Sequence, residues 1–321
     1  MNRPPVGVNQ AFAAMKIEVY EPLRFGAVEV YLGAKSGKYP DGNQVLVQGA
    51  DTRVAFDTPL VSRQLADELA QVDLVLLGHV HEDHTVALGS MPHAAVQVHE
   101  ADLAAAQSWD GLARHYGYPA PVLEQLHALV QRDFDYTPRP DATAYVDGQA
   151  WDLGGGVRVR AHHLPGHTAG HCALVEESSG VAFIGDIDLT GFGPYYGDAS
   201  SDLGAFRRSL RCVRELDARV WVTSHHRGVL TERAAFEDAL ARFASKIDER
   251  SERLLGYLRD GPQTLAQLTA RRILYPVGFE YPYVDSAEQR SIAQHLDWLI
   301  GQGEVRSTAD AAGVASFALA H

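Results

Sequence analysis

The chain has 321 residues, 46% of them apolar and 21% charged, an ordinary balance for a globular protein large enough for one sizeable core and an appendage. With 28 Lys and Arg against 41 Asp and Glu, the net charge of −13 argues against broad attraction to nucleic-acid phosphates, and no basic run exceeds two residues. No apolar run approaches the ~20 residues that a membrane-spanning helix needs. The stretch 1–22 lacks a basic start followed by an apolar core and a small-residue cleavage site, so no secretory signal is expected. Cys172 and Cys212 are the only cysteines; free thiols and a cytoplasmic location are the simplest expectation, and any metal site must rest on histidines and carboxylates.

In chain order, residues 28–32, 44–48 and 53–57 read as short strands separated by Gly-, Pro- and Asn-rich turns. Pro59 to Ala70 reads as a helix with Leu60, Leu65 and Leu69 on its apolar face. Residues 73–78 are a continuous apolar run of the kind a buried strand shows. His99 to Arg132 is helical in pattern, interrupted at Gly117–Pro121. Strands are predicted at 144–146, 157–161, 172–176, 180–186 and 219–223, with a helix capped by Asp202 running to about Leu216. From about Thr231 helical patterns dominate, over Glu232–Leu255, Thr264–Arg272 and Ala287–Gly301, followed by strand-like pieces at 304–307 and 314–319. That order is winged-helix-like. A boundary is placed at 240, giving an α/β domain over 1–240 and a winged-helix-like C-terminal domain over 241–321.

The chain has fifteen histidines, and their clustering is the main chemical signal. His79-Val-His81-Glu82-Asp83-His84 follows a buried strand, where a rigid sheet presents side chains to a cleft. His79 and His81 are spaced to share one ion, and Asp83 and His84 to serve a second. Three further strand-end elements fit the same site: Pro165-Gly-His167-Thr-Ala-Gly-His171, Gly185-Asp186, and Ser224-His225-His226. A carboxylate at a buried strand end is costly unless paired, which singles out Asp186.

The order His-x-His-x-Asp-His, Pro-Gly-His-Thr-x-Gly-His, Gly-Asp and Ser-His resembles the metallo-β-lactamase superfamily, over about residues 20–230. The resemblance implies an α+β fold, an αββα sandwich of two mixed sheets with metals at one edge. It implies His79, His81 and His167 on a first metal, Asp83, His84 and His225 on a second, and Asp186 bridging both. The last ligand usually stands between glycines; Ser224-His225-His226-Arg227-Gly228 departs from that, and aligning Ser224 with the first glycine favours His225 over His226. Asp57 reads either as a partner of a ligand histidine or as a helix cap before Pro59. His171 is read as supporting or structural, His162 and His163 as supporting, and Glu82 as solvated. The resemblance implies two divalent ions per chain, zinc expected with iron or manganese as alternatives. A metal-bridging hydroxide would be the nucleophile, with Asp83 orienting it and carrying its proton.

The substrate is expected to be a small-molecule ester, thioester or lactone, as in the glyoxalase II-like branch, although that branch's glutathione-binding basic residues are not recognisable. Tyr195 and Tyr196 are candidates for contacting a substrate carbonyl, and Arg227 for an acidic substrate tail. A metal-dependent nuclease acting on RNA is the alternative, together with a catalytically silent metal-binding scaffold. Residues 246–321 carry eight basic residues against ten acids, which does not suit nucleic acid. The appendage is instead expected to pack on the catalytic domain, cover the cleft or mediate a homodimer, with the loop Tyr275–Tyr283 reaching a neighbouring active site.

Overall fold

The computed structural model describes residues 21–309, 311 and 313–320. Two mixed sheets pack face to face with helices outside, an αββα sandwich. The first sheet runs in the order β1 (Leu23–Phe25), β2 (Val28–Tyr31), β3 (Gln44–Gln48), β4 (Arg53–Phe56), β5 (Leu74–Leu77), β6 (Ala95–His99), β7 (Thr143–Tyr145). Its first four strands pair antiparallel and the rest parallel. The second holds β8 (Ala150–Asp152), β9 (Arg158–His163), β10 (Cys172–Glu176), β11 (Val181–Phe183), β12 (Val220–Val222) and β13 (Val229–Leu230), with β11 and β12 the one parallel pair.

The alternation of strand side chains decides which core each residue joins. Val45, Val47, Val54, Phe56 and Leu76 point between the sheets, where they meet Leu174, Val181, Phe183 and Val222. Their neighbours Leu46, Ala55, Val75 and Leu77 point outward under the helices of the 103–133 region. On the second sheet Ala173, Val175, Ala182 and Trp221 face outward against Phe206, Phe236 and Phe243. Strands buried on both faces read as unbroken apolar runs for this reason.

Local differences from the expected elements have local causes. Pro59–Ala70 is not one helix but a 3-10 segment, Leu60–Gln64, followed by a single turn at Ala66–Leu69. The chain there makes i→i+3 bonds, Ser62 N–H to Pro59 O and Leu65 N–H to Ser62 O. The 99–132 stretch breaks at Ser108, whose hydroxyl accepts from the Gly111 N–H at 3.1 Å and caps the helix Trp109–Tyr116. Gly117, at φ +62, ends that helix.

The helix Arg233–Leu258 contains position 240 and changes core along its length. Phe236, Leu240, Phe243 and Ile247 pack on the second sheet, whereas Leu254, Leu255 and Leu258 join Leu268, Ile292, Leu296 and Leu299. A short strand β14 (Gln263–Thr264), the helices Leu265–Arg271 and Val284–Gly301, and strands β15 (Val305–Ala309) and β16 (Ala315–Leu319) complete the region. The three strands form a small antiparallel sheet in the order β14-β16-β15. No helix among the described residues is long and apolar enough to cross a membrane.

Phe236 is fully buried and stacks on Trp221 of β12 at 4.3 Å between ring centroids. Phe236→Ala is expected to lower unfolding free energy by about 3–5 kcal/mol, measured by urea titration, since the ring leaves a cavity that rigid neighbours cannot close.

Candidate metal centre

The parallel pairs β4–β5 and β11–β12 end at the same edge of the sandwich, and the loops leaving them carry the acidic and imidazole groups. Asp57 follows β4, His79 to His84 follow β5, Asp186 follows β11 and His225 follows β12; His167 comes from the β9–β10 connection. Two convergent groups result, His79, His81, His167 and Asp186, and Asp83, His84 and His225, with ligand atoms in each group within 4.8 Å of one another.

Asp186 lies between them. Its Oδ2 is 3.3 Å from His167 Nε2 and 3.9 Å from His79 Nε2. Its Oδ1 is 3.1 Å from His84 Nε2 and 3.6 Å from His225 Nε2. Asp83 Oδ2 approaches His225 Nε2 at 3.0 Å and His84 Nε2 at 3.8 Å. A third grouping, Asp57 with His79 and His84, also falls within ligand reach. It is not an independent site, because Asp57 is already committed: Oδ2 binds His84 Nδ1 at 2.8 Å and Oδ1 accepts the Gly78 N–H at 2.7 Å. Asp57 thus holds a histidine and caps no helix.

Four of the inward-facing histidines, His81, His84, His167 and His225, have the other ring nitrogen fixed by a neighbour. His81 presents Nδ1 to the cluster while Nε2 binds Asp198 Oδ2 at 2.8 Å. His167 Nδ1 donates to Tyr195 O at 3.0 Å, and His225 Nδ1 to Asp41 O at 2.6 Å. His171 serves as a support: its Nε2 accepts the Asp186 N–H at 3.1 Å and its Nδ1 meets Leu164 O at 3.1 Å. Gly185 is required beside it, since at φ +55 a Cβ would lie 2.4 Å from His171 Nε2.

The donor set fits cations. His79 is fully buried with both ring nitrogens unpartnered, and the buried His84 Nε2, His225 Nε2 and Asp186 Oδ1 meet only one another and Asp83, without well-formed hydrogen bonds. Buried polar atoms left so are costly in the absence of a ligand. The charges agree. Burial holds His79 well below the usual imidazole range. Burial works the same way on His84, but Asp186, Asp83 and Asp57 together lift it well above. For Asp186 burial is outweighed by His84, His225, His79 and His167, which hold its carboxyl well below the usual range. The carboxylates draw positive charge into this edge, and two dications would supply it.

Glu82, Tyr196 and Arg227 differ from expectation, and the other candidate side chains are placed by their partners. Glu82 is buried, not solvated; the Tyr116 hydroxyl donates to its carboxylate, and burial and Asp83 push its pKa up. Tyr196 is fully buried away from the cleft, bonded to His295 Nε2 at 2.8 Å and Arg250 Nη1 at 2.9 Å. Arg227 is exposed and turns back to donate to Leu189 O at 3.1 Å, outside the cleft wall. His226 sits at φ +62 with its ring 6.4 Å from that of His225 and belongs to neither ligand group. His163 binds Ala169 O and stacks on His99, away from the cluster. Tyr195 lines the cleft, but its hydroxyl is engaged with Tyr118 at 2.9 Å and Asp198 at 3.2 Å. The loop 275–283 lines this chain's own cleft.

Reading the sequence missed Asp198 as the partner of His81, and Asp188, whose Oδ1 accepts the His225 N–H at 3.2 Å. Burial and the neighbouring Asp186 raise the Asp188 pKa to about 7. Both lie in irregular loops, where no periodicity marks the direction of a side chain. The cleft over the cluster has a volume of about 390 Å³ and an aromatic lining that includes Tyr39, Tyr116, Tyr118, Phe192 and Tyr283.

The chain belongs to the metallo-beta-lactamase superfamily, whose family model matches residues 43–225. A protein of Aspergillus fumigatus named atrochrysone carboxyl ACP thioesterase is 28% identical over 262 residues, covering 71% of this chain and 70% of that protein. One of the same name from Aspergillus terreus is 27% identical over 232 residues, covering 69% and 59%. The chain spans about half of a further relative of that name, from Pseudocercospora fijiensis, at 50% of its length. Among solved structures, a metallo-beta-lactamase family protein from Thermus thermophilus superposes with a TM-score of 0.63 at 27% identity, covering 87% of this chain and 93% of that one. A beta-lactamase domain protein from Burkholderia ambifaria gives a TM-score of 0.64 at 18% identity over 94% of both chains, a likeness of fold.

Replacing His225 by Ala is expected to remove about one equivalent of bound metal in elemental analysis, whereas His226→Ala leaves the content unchanged. Asp57→Asn is expected to weaken metal affinity by roughly 10–100-fold, measured by competition with a chelator, because it releases the His84 ring.

Proposed function

We propose that this chain is a hydrolase of small-molecule thioesters or related esters and lactones. It would use two divalent cations, the first on His79, His81 and His167, the second on Asp83, His84 and His225, with Asp186 shared. The observation that carries the reading is the position of the Asp186 carboxylate, one oxygen toward each histidine group. Bound there, two cations would acidify a water and polarise the acyl oxygen. Zinc suits a His and carboxylate donor set, with iron or manganese as alternatives.

The side chains supply the rest. Asp83 lines the cleft, where its carboxylate can take the proton of an attacking water and pass it to the departing group. Asp198, held by the hydroxyls of Tyr118 and Tyr195, fixes the ring of His81. The phenols stay protonated: burial first, then Asp198, holds both pKa values well above the ordinary range. The thioesterase names of the relatives favour a thioester within this class. Lys38 is the only lysine or arginine among the described residues of the cleft wall, which gives a phosphodiester backbone little hold and disfavours the nuclease alternative. The elements from about Leu254 onward, rather than from 240, would form a winged-helix-like unit packed on the sandwich, since the helix Arg233–Leu258 changes core along its length.

Protein purified without chelator is expected to carry about two metal equivalents. In a panel of acyl thioesters, lactones and single-stranded RNA, it should turn over a thioester or lactone. His81→Ala and chelator-treated protein should lose at least 100-fold in rate. Cleavage of RNA alone, lost in His81→Ala, would overturn the assignment.

A further inference from the structure

We propose that the segment Tyr275–Tyr283 is the acyl-selectivity wall of the cleft, and that the group it selects is planar and aromatic. That the group is an acyl group rests on the hydrolase reading above; the wall and its preference rest on the geometry alone.

The lining of the cleft is unusual in its chemistry. Among the described residues eight Tyr and Phe side chains line it, and Leu126 is the only aliphatic one beside them. A site for a saturated chain would be walled by branched aliphatic groups; flat rings are best covered by flat rings. The rings are also ordered. His81 lies parallel to Tyr116 (5.9 Å, 6°), Tyr116 to Tyr118 (5.7 Å, 12°) and Tyr118 to Tyr283 (6.1 Å, 9°). A row of near-parallel rings therefore leads from the first histidine group to the C-terminal segment. Tyr275 and Phe279 form a second parallel pair at 5.4 Å and 7°.

The row is unfinished at the mouth. Phe279 is 45% exposed and Phe192 42%, both on the cleft wall. Large half-exposed aromatics gathered at one opening mark a surface that a ligand covers.

The segment is anchored at both ends to one helix. Glu288, fully buried on the helix Val284–Gly301, accepts the N–H groups of Ile273 at 2.9 Å, Leu274 at 2.9 Å and Tyr275 at 2.6 Å. Tyr283 immediately precedes that helix. The helix is docked on the sandwich by Arg290 to Gly117 O at 2.9 Å and by Gln294 to Tyr196 O at 2.8 Å. Glu288 is thus a positioning residue: it touches no substrate and sets where Tyr275 stands.

The test compares 2-naphthoate with decahydro-2-naphthoate, matched in skeleton but flat against puckered, by calorimetry on the metal-loaded protein. The corresponding acyl thioesters of one thiol are then compared by kcat/KM. The wild type is expected to favour the naphthyl member at least tenfold in both measurements. Phe279→Leu and Tyr283→Leu should bring both ratios within threefold at unchanged metal content. Glu288→Gln should raise KM for the naphthoyl thioester severalfold with kcat within twofold. A wild-type ratio near one, or a ratio untouched by both leucine variants, overturns the wall. Selective naphthoate binding without hydrolysis of any thioester would keep the wall and overturn the hydrolase reading. Hydrolysis of both thioesters at equal efficiency would do the reverse. Phe279 is half exposed, so its variant tests the proposal even if Glu288→Gln fails to fold.

Discussion

The structure turns on a carboxylate, Asp186, set at the end of a buried strand among four histidine rings. An ionised group there is costly unless opposite charge surrounds it. The sandwich meets that need by ending two pairs of parallel strands at one edge, so that imidazoles arrive from three other loops. The outer nitrogens of His84, His167 and His225 are fixed by Asp57 and by the carbonyls of Tyr195 and Asp41, and that of the nearby His81 by Asp198. Those four rings are therefore held in direction before any cation arrives. The short turn at Gly185, with His171 against the Asp186 N–H, fixes the carboxylate itself.

The C-terminal region completes the site from outside the family's matched span of residues 43–225. Arg250, nearly fully buried, donates to the carbonyls of Phe192 and Pro194 and to the Tyr196 hydroxyl. His295 joins Tyr196 to Ser251; burial, with Arg250 nearby, pushes its pKa down to about 3, so it remains neutral in that contact. The loop that presents Tyr195 to His167 is thus gripped by the C-terminal helices. Removing those helices would free a wall of the cleft and one support of a candidate ligand.

Much of this was legible in the residues. The valine-rich strands showed as short apolar runs between turn residues, and the strand-end histidines carried the chemistry. Asp57 could be read two ways, and its distance to His84 decides between them. Tyr195 and Tyr196 are adjacent and alike in sequence, yet one lines the cleft and the other lies in the core against His295. Glu82 looked like a solvated acid between two ligands, and it is buried because Tyr116 stands over it. In each case the missing information was a partner distant along the chain.

The sequence by itself determined many of the short apolar strands, the clustering of histidines at strand ends and hence a metal-binding edge, because apolar runs and short-range spacing are written in consecutive residues. Only the tertiary structure decided which oxygen of Asp186 faces which histidine group, that Asp198 steadies His81, and that Tyr275, Phe279 and Tyr283 wall the chain's own cleft. Those are relations between segments up to two hundred residues apart, set by packing and charge compensation in three dimensions, and no local pattern encodes them.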